Sequence, residues 1–98
     1  LARNRPFSKE EERRIALLEK YDLTPEAYAA LDQAQNFRCR ICGRHKSETR
    51  HGVLDVDHDH DTKRIRGLLC NNCNQGLGQF KDNPTSLLRA IQYLKGNL

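Results

Sequence analysis

Cys39-Arg40-Ile41-Cys42 and Cys70-Asn71-Asn72-Cys73 stand on either side of Val56-Asp57-His58-Asp59-His60, and Asn74 directly follows the last cysteine. These two C-x-x-C pairs decide how the chain folds. Each pair can set two sulfurs on one metal ion, while the residues between them loop out and return. Thiolates favour zinc over magnesium or calcium, and four of them leave no open coordination position, so the expected zinc is structural. Two disulfides are the alternative use of four cysteines. The paired spacing favours zinc, and nothing else in the sequence argues for secretion.

Composition explains why such a clamp is needed. Of 98 residues, 37% are hydrophobic and 31% charged, with no Trp or Met. One domain is the most this length supports, and a core that thin needs a staple. No apolar run is long enough for a signal peptide or a membrane span, which predicts a cytoplasmic protein with no membrane partner. The chain opens Leu1-Ala2-Arg3-Asn4-Arg5, without Met, as a trimmed chain or a piece of a longer protein would.

The formal charge of +4 falls to about +2 once four thiolates hold one zinc, so charge distribution says more than its total. Basic residues gather at Arg3 and Arg5, at Arg13-Arg14, at Arg38, Arg40, Arg44 and Lys46, and at Lys63, Arg64 and Arg66. Scattered solvated surface accounts for Arg13 and Arg14. Lys63, Arg64 and Arg66 adjoin the acidic and histidine string, which suits contact with phosphate.

Working outward from the cysteines, Ser8-Lys9-Glu10-Glu11 is a capping box that opens a helix running to about Lys20, with Ile15, Leu17 and Leu18 as its apolar face. Thr24-Pro25 starts a second helix carrying Tyr28, Leu31 and Ala34 and ending before Phe37. Both read as scaffold, packing on the metal module or on a second copy of the chain. Val53 to Asp57 alternates as a strand, and Ile65 to Leu69 is its antiparallel partner. After Cys73 the pattern becomes helical to Phe80. Asn83-Pro84 begins a last helix with Leu87, Leu88, Ile91 and Leu94 on one face, stopped by Gly96. Phe7, Phe37, Phe80 and the three tyrosines read as core or near-core. The organisation expected is a single domain over 1–98, with a helical segment at 1–36, a zinc-clamped core at 37–81 and a final helix at 82–98.

The string between the cysteine pairs has the makings of a second metal site. Asp57 offers a hard oxygen, as does the amide of Asn74, and both suit magnesium, which keeps several waters. His58 is of a residue type that takes up a proton near neutral pH. A histidine, an oxygen-bound metal and nearby arginines are the minimum set for phosphodiester hydrolysis. Other readings stay open on spacing alone. Asp55, Asp57, Asp59 and Asp61 superficially fit a calcium loop, although the glycine and terminal glutamate of an EF-hand are missing. His58 and His60 could also serve a zinc site, or the string could be ordinary polar turn.

The stretch Cys39 to Gly78, with V-D-H-D-H-D-T, R-I-R-G-L-L-C-N-N-C-N and Q-G-L-G in that order, closely resembles the phage recombination endonuclease VII family, a branch of the HNH or ββα-metal nucleases. Tyr21 to Leu31 resembles that family's lead-in, so the likeness covers roughly residues 20–95. It implies an α+β fold, a small zinc-stabilised ββα-metal (HNH/His-Me finger) module flanked by N- and C-terminal helices. It implies a DNA endonuclease that leaves 5′-phosphate ends, acting in the host-cell cytoplasm if phage-encoded.

By the same resemblance, Asp57 and Asn74 hold a catalytic Mg2+ or Mn2+ and His58 is the general base. His60 contacts the scissile phosphate or assists the leaving group. Cys39, Cys42, Cys70 and Cys73 hold the structural Zn2+, and Arg64 and Arg66 face the DNA backbone. Asp55 departs from the family, falling where its best-known resolvase carries a histidine, which leaves junction specificity unassigned. The alternative function is a non-catalytic zinc-binding module for nucleic acid or protein. A homodimer through the N-terminal helices would suit double-strand or branched-DNA cutting.

Overall fold

The computed structural model describes Lys9, Glu12 and residues 19–98. The expected first helix therefore lies largely outside the described residues, with its Ser8/Glu11 capping box and its Ile15, Leu17 and Leu18 face. Lys9, Glu12, Glu19 and Lys20 themselves are helical.

The described elements run α1 (Pro25–Ala34), β1 (Asp55–His58), β2 (Ile65–Leu69), α2 (Asn71–Gln79) and α3 (Pro84–Leu94), with a short 3-10 turn at Lys46–Glu48. This is a small α+β arrangement around a two-stranded antiparallel sheet. No helix among the described residues is long and apolar enough to cross a membrane.

α1 begins where Thr24 and Pro25 predict. The Thr24 side chain accepts the Ala27 N–H at 3.1 Å, and Pro25 occupies the first turn, where its missing N–H costs nothing. Of its expected inward face, Tyr28 is buried and Leu31 half-buried, while Ala34 is exposed. The Tyr28 hydroxyl donates to the Leu54 carbonyl at 2.6 Å, tying α1 to the residue before the hairpin.

β1 starts at Asp55 rather than Val53, because the Val53 carbonyl is taken locally by the Thr49 hydroxyl at 3.2 Å. Pairing runs Asp55 to Leu69, Val56 to Leu68, Asp57 to Gly67 and then His58 to Ile65. One step on β1 there matches two on β2, so Arg66 is the extra residue of a β-bulge.

The free edge of β2 is closed by side chain and loop. The Gln35 amide accepts the Leu68 N–H at 2.9 Å and donates to the Leu68 carbonyl at 2.9 Å, as a third strand would. The Arg40 N–H also donates to that carbonyl, at 3.2 Å. Such close approach requires Gly67. A Cβ there would meet the Gln35 side-chain oxygen and the Arg40 Cδ, each at 3.2 Å. Gly67→Ala is expected to destabilise the protein by about 1–3 kcal/mol in urea unfolding, the usual range for overpacking a filled site. An unchanged midpoint would show that Gln35 and Arg40 yield freely.

α2 starts at Asn71, before the expected point after Cys73, because Cys70 itself caps it: its Sγ accepts the Cys73 N–H at 3.4 Å. α2 packs against both strands. The last helix keeps its expected signals. Asn83 accepts the N–H groups of Thr85 and Ser86, and Gly96 turns left-handed at φ 78°. The Gly96 and Asn97 N–H groups then close on the Tyr93 and Gln92 carbonyls, a Schellman ending.

The core comprises Tyr28, Cys39, Leu54, Leu68, Leu69 and Cys70, with Leu23, Leu31, Val56, Cys73 and Leu77 partly buried against it. Two aromatic expectations need correcting: Phe80 and Tyr93 are exposed. Tyr93 lies on α3, where Leu88, Ile91 and Leu94 are exposed too, and Phe80 caps the C-terminus of α2.

Candidate metal centres

The four cysteines converge. Sγ atoms of Cys39, Cys42, Cys70 and Cys73 all lie within 4.8 Å of one another, and none is in a disulfide. Cys42 and Cys70 bring their sulfurs to 3.7 Å, against an edge of about 3.8 Å for a tetrahedron with a zinc–sulfur bond of about 2.3 Å. The first pair sits on a knuckle: the Cys39 N–H donates to the Arg44 carbonyl, the Gly43 N–H returns to the Cys39 carbonyl, and Gly43 is left-handed at φ 77°. The second pair spans the end of β2 and the first turn of α2. A metal-ion site therefore joins the knuckle to the sheet-helix corner, and its all-sulfur donor set fits zinc.

Burial pushes the Cys70 and Cys73 thiols up, and their cysteine neighbours push Cys73 higher still. Burial acts the same way on Cys39, but hydrogen bonds from the backbone at Cys70, Cys42 and Ile41 outweigh it and pull that thiol down to about 6. Thiols this close cannot all ionise without a cation among them.

The hairpin carries the second group of candidates. Asp57 is 8% exposed, and both its oxygens accept from Arg66: Nε donates to Oδ2 at 2.7 Å and Nη2 to Oδ1 at 3.0 Å. Strict strand alternation would turn Arg66 away from Asp57, and the bulge re-aims it. Arg66, expected to contact DNA, gives its described hydrogen bonds to carboxylates. Its Nη2 also donates to Asp82 at 3.0 Å. An open cavity of about 320 Å³ lies beside the pair, lined among others by Arg40, Asp57, Arg66 and Leu77.

His58 follows Asp57 as the last residue of β1. Its ring lies 4.5 Å from that of Tyr21 and 4.9 Å from that of His60. Partial burial lowers its pKa, and His60, Lys63 and Lys20 add to that effect against the opposing pull of Asp57. The imidazole thus favours its neutral form more than an ordinary histidine, the form that can take a proton. It faces a cleft of about 600 Å³ lined by Lys20, Tyr21, Asp22, His58, His60 and Lys63.

Between the strands, Asp59 accepts the Asp61 and Thr62 N–H groups, which lowers its pKa and shapes the loop presenting Lys63 and Arg64 to solvent. Burial raises Asp55, with His51 opposing it more weakly. Asn74 is half-buried on α2, its N–H donating to the Cys70 carbonyl at 3.0 Å, so the thiolate corner sets its place on the helix.

Sequence reasoning did not find Asp82. Its Oδ2 lies 3.5 Å from His60 Nε2 and accepts from Arg66, so it joins the two halves of the hairpin site. Its one signal was composition: Asp-Asn-Pro after a helical run favours a turn, and Asp82 is left-handed there at φ 53°.

Residues 13–96 match a family model described as recombination endonuclease VII. The chain is also similar to the gene 59 protein of Mycobacterium phage D29, at 44% identity over 80 residues, covering 81% of this chain and 47% of that protein. Its similarity to the gene 59 protein of Mycobacterium phage L5 is 40% over 79 residues, covering 80% of this chain and 47% of that one. The chain spans about half the length of the curated relatives it matches. No solved structure matches it.

Proposed function

The chain belongs to the recombination endonuclease VII family, and on that premise we propose that it is a metal-dependent DNA endonuclease of the HNH, or ββα-metal, type. The hairpin β1–β2 and helix α2 would form the ββα unit, held at its corner by zinc on Cys39, Cys42, Cys70 and Cys73. The observation that carries the reading is the adjacency of Asp57, a buried carboxylate, and His58, an imidazole at the wall of an open cleft.

The donor chemistry fits a hard divalent cation. Asp57 already attracts a cation to both its oxygens, in the guanidinium of Arg66, and a cavity beside it leaves room for waters. Asp57 and Asn74 would hold Mg2+ or Mn2+, which supplies charge neutralisation on a phosphate and its leaving oxygen. His58 would take the proton of the attacking water. His60, at the mouth of the same cleft, would contact the scissile phosphate or aid departure of the leaving group. Lys63 and Arg64 are exposed beside it and would hold the strand through its phosphates, a contact without sequence preference.

Nicking of supercoiled plasmid tests this. Cleavage is expected with magnesium or manganese and lost in chelator and in Asp57→Asn. Binding without any metal-dependent cleavage, or equal cutting by Asp57→Asn, would overturn the proposal and leave a zinc-stabilised binding module. A panel of linear, nicked and branched DNAs in the same assay assigns the substrate.

A further inference from the structure

One guanidinium spans two carboxylates at this centre. Arg66 holds both oxygens of Asp57 on β1 and, through Nη2, the Asp82 oxygen at 3.0 Å on the turn after α2. That turn is fixed. The Asp82 N–H donates to the Leu77 carbonyl at 2.8 Å, and the left-handed backbone sets where the carboxylate sits. The same Asp82 oxygen lies 3.5 Å from His60 Nε2, and the His60 ring lies 4.9 Å from that of His58.

A bidentate guanidinium uses the lone pairs of Asp57 that a divalent cation would need, and two cations on one carboxylate repel each other. Arg66 and the metal therefore compete, and Arg66 needs another seat. Asp82 is a carboxylate already within its reach.

We propose that Asp82 is a positioning residue of this centre: it draws the Arg66 guanidinium off Asp57 when Asp57 takes a divalent cation, and it keeps His60 beside His58. The proposal rests on the reading of Asp57 as a metal ligand. Arg66 then acts as a built-in counter-cation that keeps the buried carboxylate paired until the metal arrives.

Titration of the zinc-loaded full chain with Mn2+, without DNA, reads the competition directly. Arg66→Met removes the competitor and is expected to tighten Mn2+ binding by on the order of tenfold. Asp82→Asn keeps a residue that tolerates the left-handed turn but removes the second seat, so Mn2+ binding is expected to weaken by roughly severalfold. In the double variant the Asp82→Asn effect should vanish, because there is no guanidinium left to seat.

Unchanged affinity in Asp82→Asn overturns the proposal. So does an Asp82→Asn loss that persists undiminished beside Arg66→Met, which would mark a general loss of negative charge. Asp57→Asn separates the two levels of the reading. If it binds Mn2+ as the unaltered chain does, Asp57 is no ligand and both readings fall; if it loses binding, the outcome for Asp82 stands on its own.

Discussion

Replacing Cys39 or Cys70 with serine, or stripping the metal with a strong chelator, is expected to abolish cooperative unfolding rather than shift its midpoint. Six buried hydrophobic residues form the described core, and two of them are these cysteines. What remains is Tyr28, Leu54, Leu68 and Leu69, too little apolar surface to offset the entropy of ordering the chain. Structural zinc contributes about 10–16 kcal/mol in small peptides near neutral pH, as much as the whole stability of an ordinary domain.

The loss would also be spread over several elements. Cys39 sits on the knuckle whose Arg40 N–H closes the edge of β2, and Cys70 caps α2 through its own sulfur. Thermal circular dichroism with one zinc per chain by elemental analysis should show a sharp transition, and the serine variants and chelated protein should show none. A chelated chain that still melts cooperatively, at nearly the same temperature, would mean that the packing stands without metal.

The parts legible in the sequence were those whose causes are local. Thr24-Pro25, Asn83-Pro84 and Gly96 end or begin helices through bonds within a turn of themselves, so reading them needs no knowledge of the fold. The cysteine clamp is long-range, yet its spacing betrays it because a metal imposes its own geometry on whatever chain surrounds it. The β1 boundary moved because Thr49 claims the Val53 carbonyl, and the α2 boundary moved because a thiol served as a cap, a role not among the usual capping residues.

Other features depend on contacts between distant residues. The pairing of the Gln35 amide with Leu68 joins residues with no shared pattern. Arg66 reads in the sequence as one of a basic cluster, and its pairing with Asp57 depends on a β-bulge that the sequence does not announce. Asp82 meets Arg66 and His60 by way of a left-handed turn that composition merely permits. The aromatic residues Phe80 and Tyr93 depart from expectation for a related reason: residue type favours burial, but Phe80 sits at the C-cap of α2 and Tyr93 on α3, and both are exposed.

His58→Ala is expected to lower kcat for metal-dependent cleavage by about 10²–10⁴-fold, the range general-base catalysis contributes. The same change should leave zinc content and Mn2+ affinity intact, because His58 is not among the residues proposed to hold either metal and its ring touches those of Tyr21 and His60 rather than the thiolate corner. Loss of those ring contacts at the wall of an open cleft costs about 0.5–1.5 kcal/mol, too little to unfold the chain. Since the cleft of about 600 Å³ stays accessible, added imidazole should restore part of the rate to His58→Ala. It should do nothing for Asp57→Asn, whose defect is not a missing base. His60→Ala should cost less than His58→Ala, because its side chain is 69% exposed and neighbouring cations can take over contact with a phosphate. A His58→Ala protein that cuts at the full rate, or one whose loss imidazole leaves untouched while Mn2+ affinity falls, would remove His58 from the role of base.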